Sequence, residues 1–103
     1  MPDSVEIIWQ KAFDNCTSLR EIKLSNNLQQ IQSSAFYNCK SLIYIELPNS
    51  LNQIDGYVFQ NSSVTTLKFL GTSEQWQSIT KNNYWKYNIP VNSIECLDGF
   101  VDF

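Results

Sequence analysis

Residues 34–50 have the sequence SAFYNCKSLIYIELPNS, and residues 11–24 have the similar sequence KAFDNCTSLREIKL. Phenylalanine, asparagine, cysteine and leucine occur in the same order in both, 23 residues apart. A third and less regular version, YVFQNSSVTTLKF, occupies residues 57–69. Self-similarity at a fixed period of about 20–50 residues indicates a repeat architecture in which each copy forms one structural unit.

A step of 23 residues aligns apolar side chains in register along the chain. The four apolar positions are Val5, Leu28 and Leu51; Ile8, Ile31 and Ile54; Ala12, Ala35 and Val58; and Phe13, Phe36 and Phe59. An asparagine position accompanies them at Asn15, Asn38 and Asn61. The third copy is one residue shorter after Ser62, as expected beside a terminal and atypical repeat.

Three segments alternate apolar and polar residues, at positions 19–24, 42–47 and 64–69. This alternation predicts one short strand in each 23-residue repeat. Strands at that spacing must run parallel, with neighbours about 4.8 Å apart. The pattern therefore predicts a solenoid of the α/β or mainly β class, in which each repeat is covered only by its neighbours.

The last third of the chain lacks the period and predicts a cap. Thr72 and Gln75 have the spacing of a capping box, which predicts a short helix near residues 73–80. Residues 93–97 alternate like a strand, and Asp98-Gly99 is a two-residue hairpin signal. We expect this element to cover the apolar face of the last repeat.

Two regions follow from these patterns, namely repeats at residues 1–69 and a C-terminal capping element at residues 70–103. By the 23-residue step, Met1 corresponds to the residue that closes a strand, so the repeat region is expected to be truncated at its N-terminal side. The first repeat would then expose its apolar positions. End-to-end self-association through this uncapped repeat is one expectation.

Composition excludes several functional classes. Ten acidic and seven basic residues give a net charge of -3, which offers no basic surface for nucleic acid. No apolar run approaches the roughly 20 residues of a membrane span, so we expect no membrane insertion. The chain has no histidine, which removes Ser-His-Asp catalysis, Cys-His catalysis and most catalytic zinc sites. We therefore expect neither enzymatic activity nor a cofactor nor a metal.

Cys16 and Cys39 occupy equivalent positions in consecutive repeats, so their Cα atoms should lie roughly 5 Å apart. That separation permits a disulfide, but equivalent side chains point the same way, which suits the torsion of an S–S bond poorly. Free cysteine packs well as a small buried residue. We expect free thiols at Cys16 and Cys39 and an unpaired Cys96.

Two motifs, LPNSL-x-x-I at residues 47–54 and AF-x-NC-x-SL-x-x-I-x-L at residues 12–24 and 35–47, resemble the BspA-like leucine-rich repeats of surface and secreted proteins. The tail also resembles the end of such arrays at Gly71, Thr72, Trp76, Ile79, Cys96, Asp98 and Gly99. This resemblance implies a right-handed leucine-rich-repeat solenoid located at the cell surface or secreted. It implies adhesion or protein recognition, with no catalytic residues to carry over.

The residues that alternate outward on the predicted strands form the candidate protein-binding face. They are Lys23, Glu46 and Lys68 in one row, and Glu21, Tyr44 and Thr66 in the other. Tyr44 favours recognition, because an exposed tyrosine supplies a large contact area at low entropic cost. The alternative is an ordinary solvated face of a sheet.

Three functions are compatible with this sequence. The first is a protein-binding or adhesion module, whose unidentified ligand would be a protein such as a host surface protein. The second is a glycan-binding module built on the cap aromatics Trp76, Tyr84, Trp85 and Tyr87, although these rings are also expected to pack the cap. The third is a structural spacer within a longer array.

Overall fold

In the computed structural model, which describes residues 1–103, the chain forms two four-stranded sheets and one short helix. The first sheet contains β1 (Ile7–Ile8), β2 (Gln30–Ile31), β4 (Gln53–Ile54) and β6 (Thr80–Lys81). The second contains β3 (Tyr44–Leu47), β5 (Thr66–Phe69), β7 (Ser93–Cys96) and β8 (Gly99–Asp102), and the helix α1 spans Ser73–Ser78. No helix of the chain is long and apolar enough to cross a bilayer.

Equivalent residues of consecutive repeats are direct partners in the sheets. Ile8 pairs with Ile31, and Ile31 pairs with Ile54, in parallel register. In the second sheet, β3 and β5 pair in parallel with Tyr44 opposite Thr66. All pairings are parallel except that of β7 with β8. Parallel strands in this register, with one short helix, form a repeat fold, as the periodicity predicts.

The expectation of one strand in each repeat is wrong, because the repeats contribute to two sheets. The additional sheet is built by residues around the recurring isoleucine. Backbone hydrogen bonds of this sheet connect each repeat to the next, from Gln32 N to Ile8 O (2.9 Å), Asp55 N to Ile31 O (3.0 Å) and Asn82 N to Ile54 O (2.9 Å). Strands of two residues are too short to produce a detectable alternation of polar and apolar residues.

The strand predicted at residues 19–24 is also wrong in detail. Leu24 is buried as expected, but no backbone hydrogen bond joins residues 20–24 to residues 43–47. A cleft lined by Glu21, Lys23, Tyr44 and Glu46 separates this segment from β3, so its backbone does not join the ladder of the second sheet. The predicted strands at 42–47 and 64–69 are present as β3 and β5, each two residues shorter at its start.

The core is a stack of equivalent side chains between the two sheets. Phe36 lies parallel to Phe13, with ring centroids 5.2 Å apart, and stacks on Phe59 at 5.6 Å. Towards the C-terminus the buried rings of Trp76 and Trp85 extend the core, with their centroids 5.5 Å apart. Each repeat is thus covered by the next along the stack.

The helix α1 begins with the predicted capping box. Thr72 Oγ1 accepts a hydrogen bond from Gln75 N (3.2 Å), and Gln75 Oε1 accepts one from Thr72 N (2.9 Å). Two of the orphan amides at the helix start are satisfied in this way. The helix ends at Ser78, two residues before the predicted limit, because Ile79 is extended and leads into β6.

The turn between β7 and β8 is Leu97-Asp98 and not Asp98-Gly99 as the sequence signal suggested. Cys96 pairs with Gly99, which places the glycine inside the hairpin as the first residue of β8. Gly99 has a φ of 128°, a conformation that favours glycine. Asp98 remains in the turn, where its carboxylate accepts hydrogen bonds from Ser73 N (2.7 Å) and Ser73 Oγ (2.9 Å).

The recurring asparagines occupy a backbone conformation that explains their residue type. Asn15, Asn38 and Asn61 all have φ near 60°, where asparagine is tolerated better than most residues. Asn38 Nδ2 donates to Asn15 Oδ1 at 2.6 Å. Asn88 is a fourth member, 27 residues after Asn61, with the same φ and a hydrogen bond to Asn61 Oδ1. The repeat therefore continues into the predicted capping element.

Candidate functional site

The polar side of the second sheet carries four of the six residues predicted for the candidate face. Tyr44 lies opposite Thr66, and Glu46 lies opposite Lys68, on neighbouring strands. In both strands the intervening residues are buried, so these four side chains share the outward side. We call this side of the second sheet the outer face.

Glu21 and Lys23 precede the sheet in the irregular segment of the first repeat, and both are exposed. They line a cleft of about 500 Å³ together with Tyr44 and Glu46. The remaining walls of the cleft are Ile22, Leu24, Asn26, Pro48 and Leu70. The cleft thus places the first-repeat members of the candidate face beside β3, although they form no strand.

The outer face extends beyond the predicted residues. Glu95 of β7 pairs with Lys68, and Phe100 of β8 pairs with Glu95. A row of alternating charge therefore runs through Glu46, Lys68 and Glu95 and ends at Phe100, whose side chain is 70% exposed. The alternation at residues 93–97 predicted a strand, but nothing in its local pattern indicated that it pairs with β5.

Charge and polarity on the outer face have a definite pattern. Lys68 lies between Glu46 and Glu95 in the register of the sheet. The pKa of Tyr44 is raised to about 12 by desolvation of its hydroxyl and by the nearby carboxylates of Glu46 and Glu95. The neutral phenol can donate a hydrogen bond. The outer face combines an aromatic anchor with fixed charges of both signs.

The aromatic residues predicted as a glycan-binding alternative divide into two groups. Trp76 and Trp85 are buried in the core, so they offer no surface to a ligand. Tyr84 and Tyr87 are 53% and 50% exposed. Tyr57, which the sequence did not single out, joins them because its ring stacks on Tyr84 with centroids 5.4 Å apart.

The cysteines are free and two of them are buried. Cys39 Sγ donates a hydrogen bond to Phe13 O at 3.2 Å, and burial raises the pKa of Cys39 to about 11. Burial also raises the pKa of Cys96. Protonated and buried thiols are poor nucleophiles. No three acidic or cysteine side chains gather in a group that could hold a metal ion.

Comparison with known proteins identifies a family. A family model described as "BspA type Leucine rich repeat region (6 copies)" matches residues 1–99 of this chain. No curated protein and no solved structure matches the chain. The family match includes the helix α1 and the strands β6 and β7, and it ends at the first residue of β8.

Proposed function

Because this chain belongs to the BspA-type leucine-rich repeat family, we propose that it binds another protein through the outer face of its second sheet. Leucine-rich repeats generally mediate protein binding, since stacked repeats present an extended and preformed surface. The module would belong to an adhesive protein that is secreted or located at the cell surface. The ligand would be a protein, such as one on a host surface.

One observation supports the outer face above other surfaces. Tyr44, 40% exposed, lines the cleft and lies beside the row of alternating charge. Tyrosine is one of the residue types that contribute most of the binding energy in protein interfaces. A rigid sheet also holds these side chains in place before binding, which lowers the entropic cost of association.

We further propose that the repeats wind as a right-handed solenoid without catalytic function. Connections between parallel strands of one sheet are right-handed in nearly all proteins. The buried thiols and the lack of histidine support a non-catalytic role. A crystal structure tests the handedness, and screens with ester, glycoside and phosphate substrates test the lack of turnover.

Self-association through the first repeat is a separate proposal. Val5, Ile7 and Trp9 line an apolar depression of about 450 Å³, and the Trp9 side chain is 64% exposed. Exposed apolar patches of this kind favour association. Light scattering tests this self-association. Trp9→Glu should lower the proportion of dimer, and a wild-type chain that is strictly monomeric would refute the proposal.

Affinity capture with a matched pair of charge reversals tests the protein-binding function. The chain is immobilised and exposed to solubilised host surface proteins, and the captured proteins are identified and quantified. Lys68→Glu reverses a charge on the outer face, whereas Lys40→Glu makes the same change in an exposed turn. We expect Lys68→Glu to lose the captured partner and Lys40→Glu to retain it. A partner held equally by both variants would contradict the outer face, and no specific partner would favour a structural spacer.

A further inference from the structure

A cluster of three tyrosines lies on the surface away from the outer face. The ring of Tyr57 is parallel to that of Tyr84 within 4°, with centroids 5.4 Å apart. Tyr87 packs against Tyr57 edge to face at 5.5 Å. We call Tyr57, Tyr84 and Tyr87 the tyrosine cluster.

The repeat geometry brings these residues together. Tyr57 follows β4, and Tyr84 occupies the equivalent position in the next repeat, where Tyr57 N donates to Tyr84 O at 2.9 Å. A turn then returns the chain, with Tyr87 N donating to Tyr84 O at 3.2 Å. The rings are therefore held by backbone bonds as well as by stacking.

The tyrosine cluster is not part of the core. The three side chains are between 37% and 53% exposed, whereas the core phenylalanines Phe36 and Phe59 are fully buried. One repeat before Tyr57 the equivalent residue is Ser34, whose side chain is too short to cover a tyrosine ring. Ring surface is consequently available to a ligand beside the stack.

The surroundings of the tyrosine cluster are polar but carry little charge. Asn82, Asn83 and Asn88 are exposed neighbours, and Asn82 Oδ1 accepts a hydrogen bond from Tyr84 N at 2.9 Å. The nearby cation Lys86 is directed elsewhere, with its Nζ 5.0 Å from the centroid of Phe103. Amides can both donate and accept hydrogen bonds, so they suit a neutral ligand rich in hydroxyl groups.

The geometry points to a carbohydrate, and we propose that the tyrosine cluster binds an oligosaccharide of β-linked, gluco-configured pyranose rings. In such rings all the substituents are equatorial, so both faces present axial C–H groups that can pack flat on a tyrosine ring. The ring hydroxyls can then bond to the phenols and the asparagine amides. An aromatic cage for a cation is excluded, because Tyr57 and Tyr87 already contact each other and leave no space between them.

Titration of the folded chain with cellohexaose, followed by NMR and calorimetry, tests this inference. We expect shift changes centred on residues 57, 84 and 87. Tyr84→Ala should weaken binding about tenfold, because it removes one stacking ring. Tyr84→Phe retains the ring and should bind within about threefold of wild type. Ile43→Ala removes an exposed apolar side chain outside the tyrosine cluster and serves as the matched control, with binding unchanged.

Several results would overturn the proposal. One is the absence of binding to cellohexaose by a folded wild-type chain. Another is equal binding by wild type and by a folded Tyr84→Ala variant. A third is binding of a decaproline peptide at the tyrosine cluster in place of the sugar, since aromatic surfaces can also recognise polyproline helices. Failure of the sugar-binding proposal would not affect the proposed protein-binding function of the outer face, because that function is tested separately with Lys68→Glu.

Discussion

Phe36 stacks on Phe59 with ring centroids 5.6 Å apart and planes inclined by 14°. Its other face lies against Phe13, so Phe36 is enclosed by equivalent residues of the preceding and following repeats. We expect Phe36→Ala to lower the free energy of unfolding by about 3–5 kcal/mol, through lost apolar contact and the cavity that remains. Urea denaturation measures this, with Lys40→Ala as a nearly silent surface control. A Phe36→Ala variant as stable as the control would contradict the stack.

Asn38 combines a φ of 61° with a side-chain hydrogen bond to Asn15. Asn38→Ala should destabilise the chain by about 1–3 kcal/mol, because alanine is strained at positive φ and the side-chain hydrogen bond to Asn15 is lost. Asn38→Gly loses the same hydrogen bond without the strain and should cost about half as much. Thermal or urea unfolding of the two variants separates the contribution of the backbone strain from that of the hydrogen bond. Equal losses would show that the backbone conformation contributes nothing.

Asp98 gives the cap a dependence on pH. The hydrogen bonds from Ser73 hold the pKa of Asp98 below its ordinary value of 3.8. A lowered pKa in the folded state adds stability that is present above the ordinary value and is lost as the pH falls through the folded value. Between about pH 6 and about pH 2.5, wild type should therefore lose more stability than Asp98→Asn. Urea unfolding at both pH values measures it, and equal losses would contradict the role of this carboxylate.

Cys39 should be protected from modification while Cys16 is not. The thiol of Cys39 is buried with its pKa raised to about 11, whereas Cys16 is partly exposed. At about pH 8, iodoacetamide should alkylate Cys16 in the folded chain and reach Cys39 only after unfolding. Mass spectrometry with and without urea distinguishes the sites. Rapid alkylation of Cys39 in the folded chain would contradict the buried position.

The parts of the fold that follow the 23-residue period were predictable from the sequence. Phe13, Phe36 and Phe59 align by counting alone, because a constant repeat length places equivalent residues in contact. The fourth repeat was not found, since the residues of α1 lengthen the step from Asn61 to Asn88 to 27. The same insertion concealed the stacking of Tyr84 on Tyr57.

The candidate site was predictable to a similar extent. Tyr44 and Thr66 are neighbours because the strand register follows the repeat. Glu95 and Phe100 were missed, since a strand's alternation indicates which side chains share a side but not which strand it pairs with. The first sheet was missed for a different reason, because strands of two residues leave no periodic signal.

Site-specific photocrosslinking tests whether the outer face contacts a protein partner. A photoreactive phenylalanine analogue is placed at Tyr44, and in a second chain at Gln53, an exposed residue of the first sheet. Each chain is irradiated with the protein obtained by affinity capture, and the adducts are quantified by mass spectrometry. We expect adducts from position 44 and few or none from position 53. Adducts that form at position 53 and not at position 44 would contradict it.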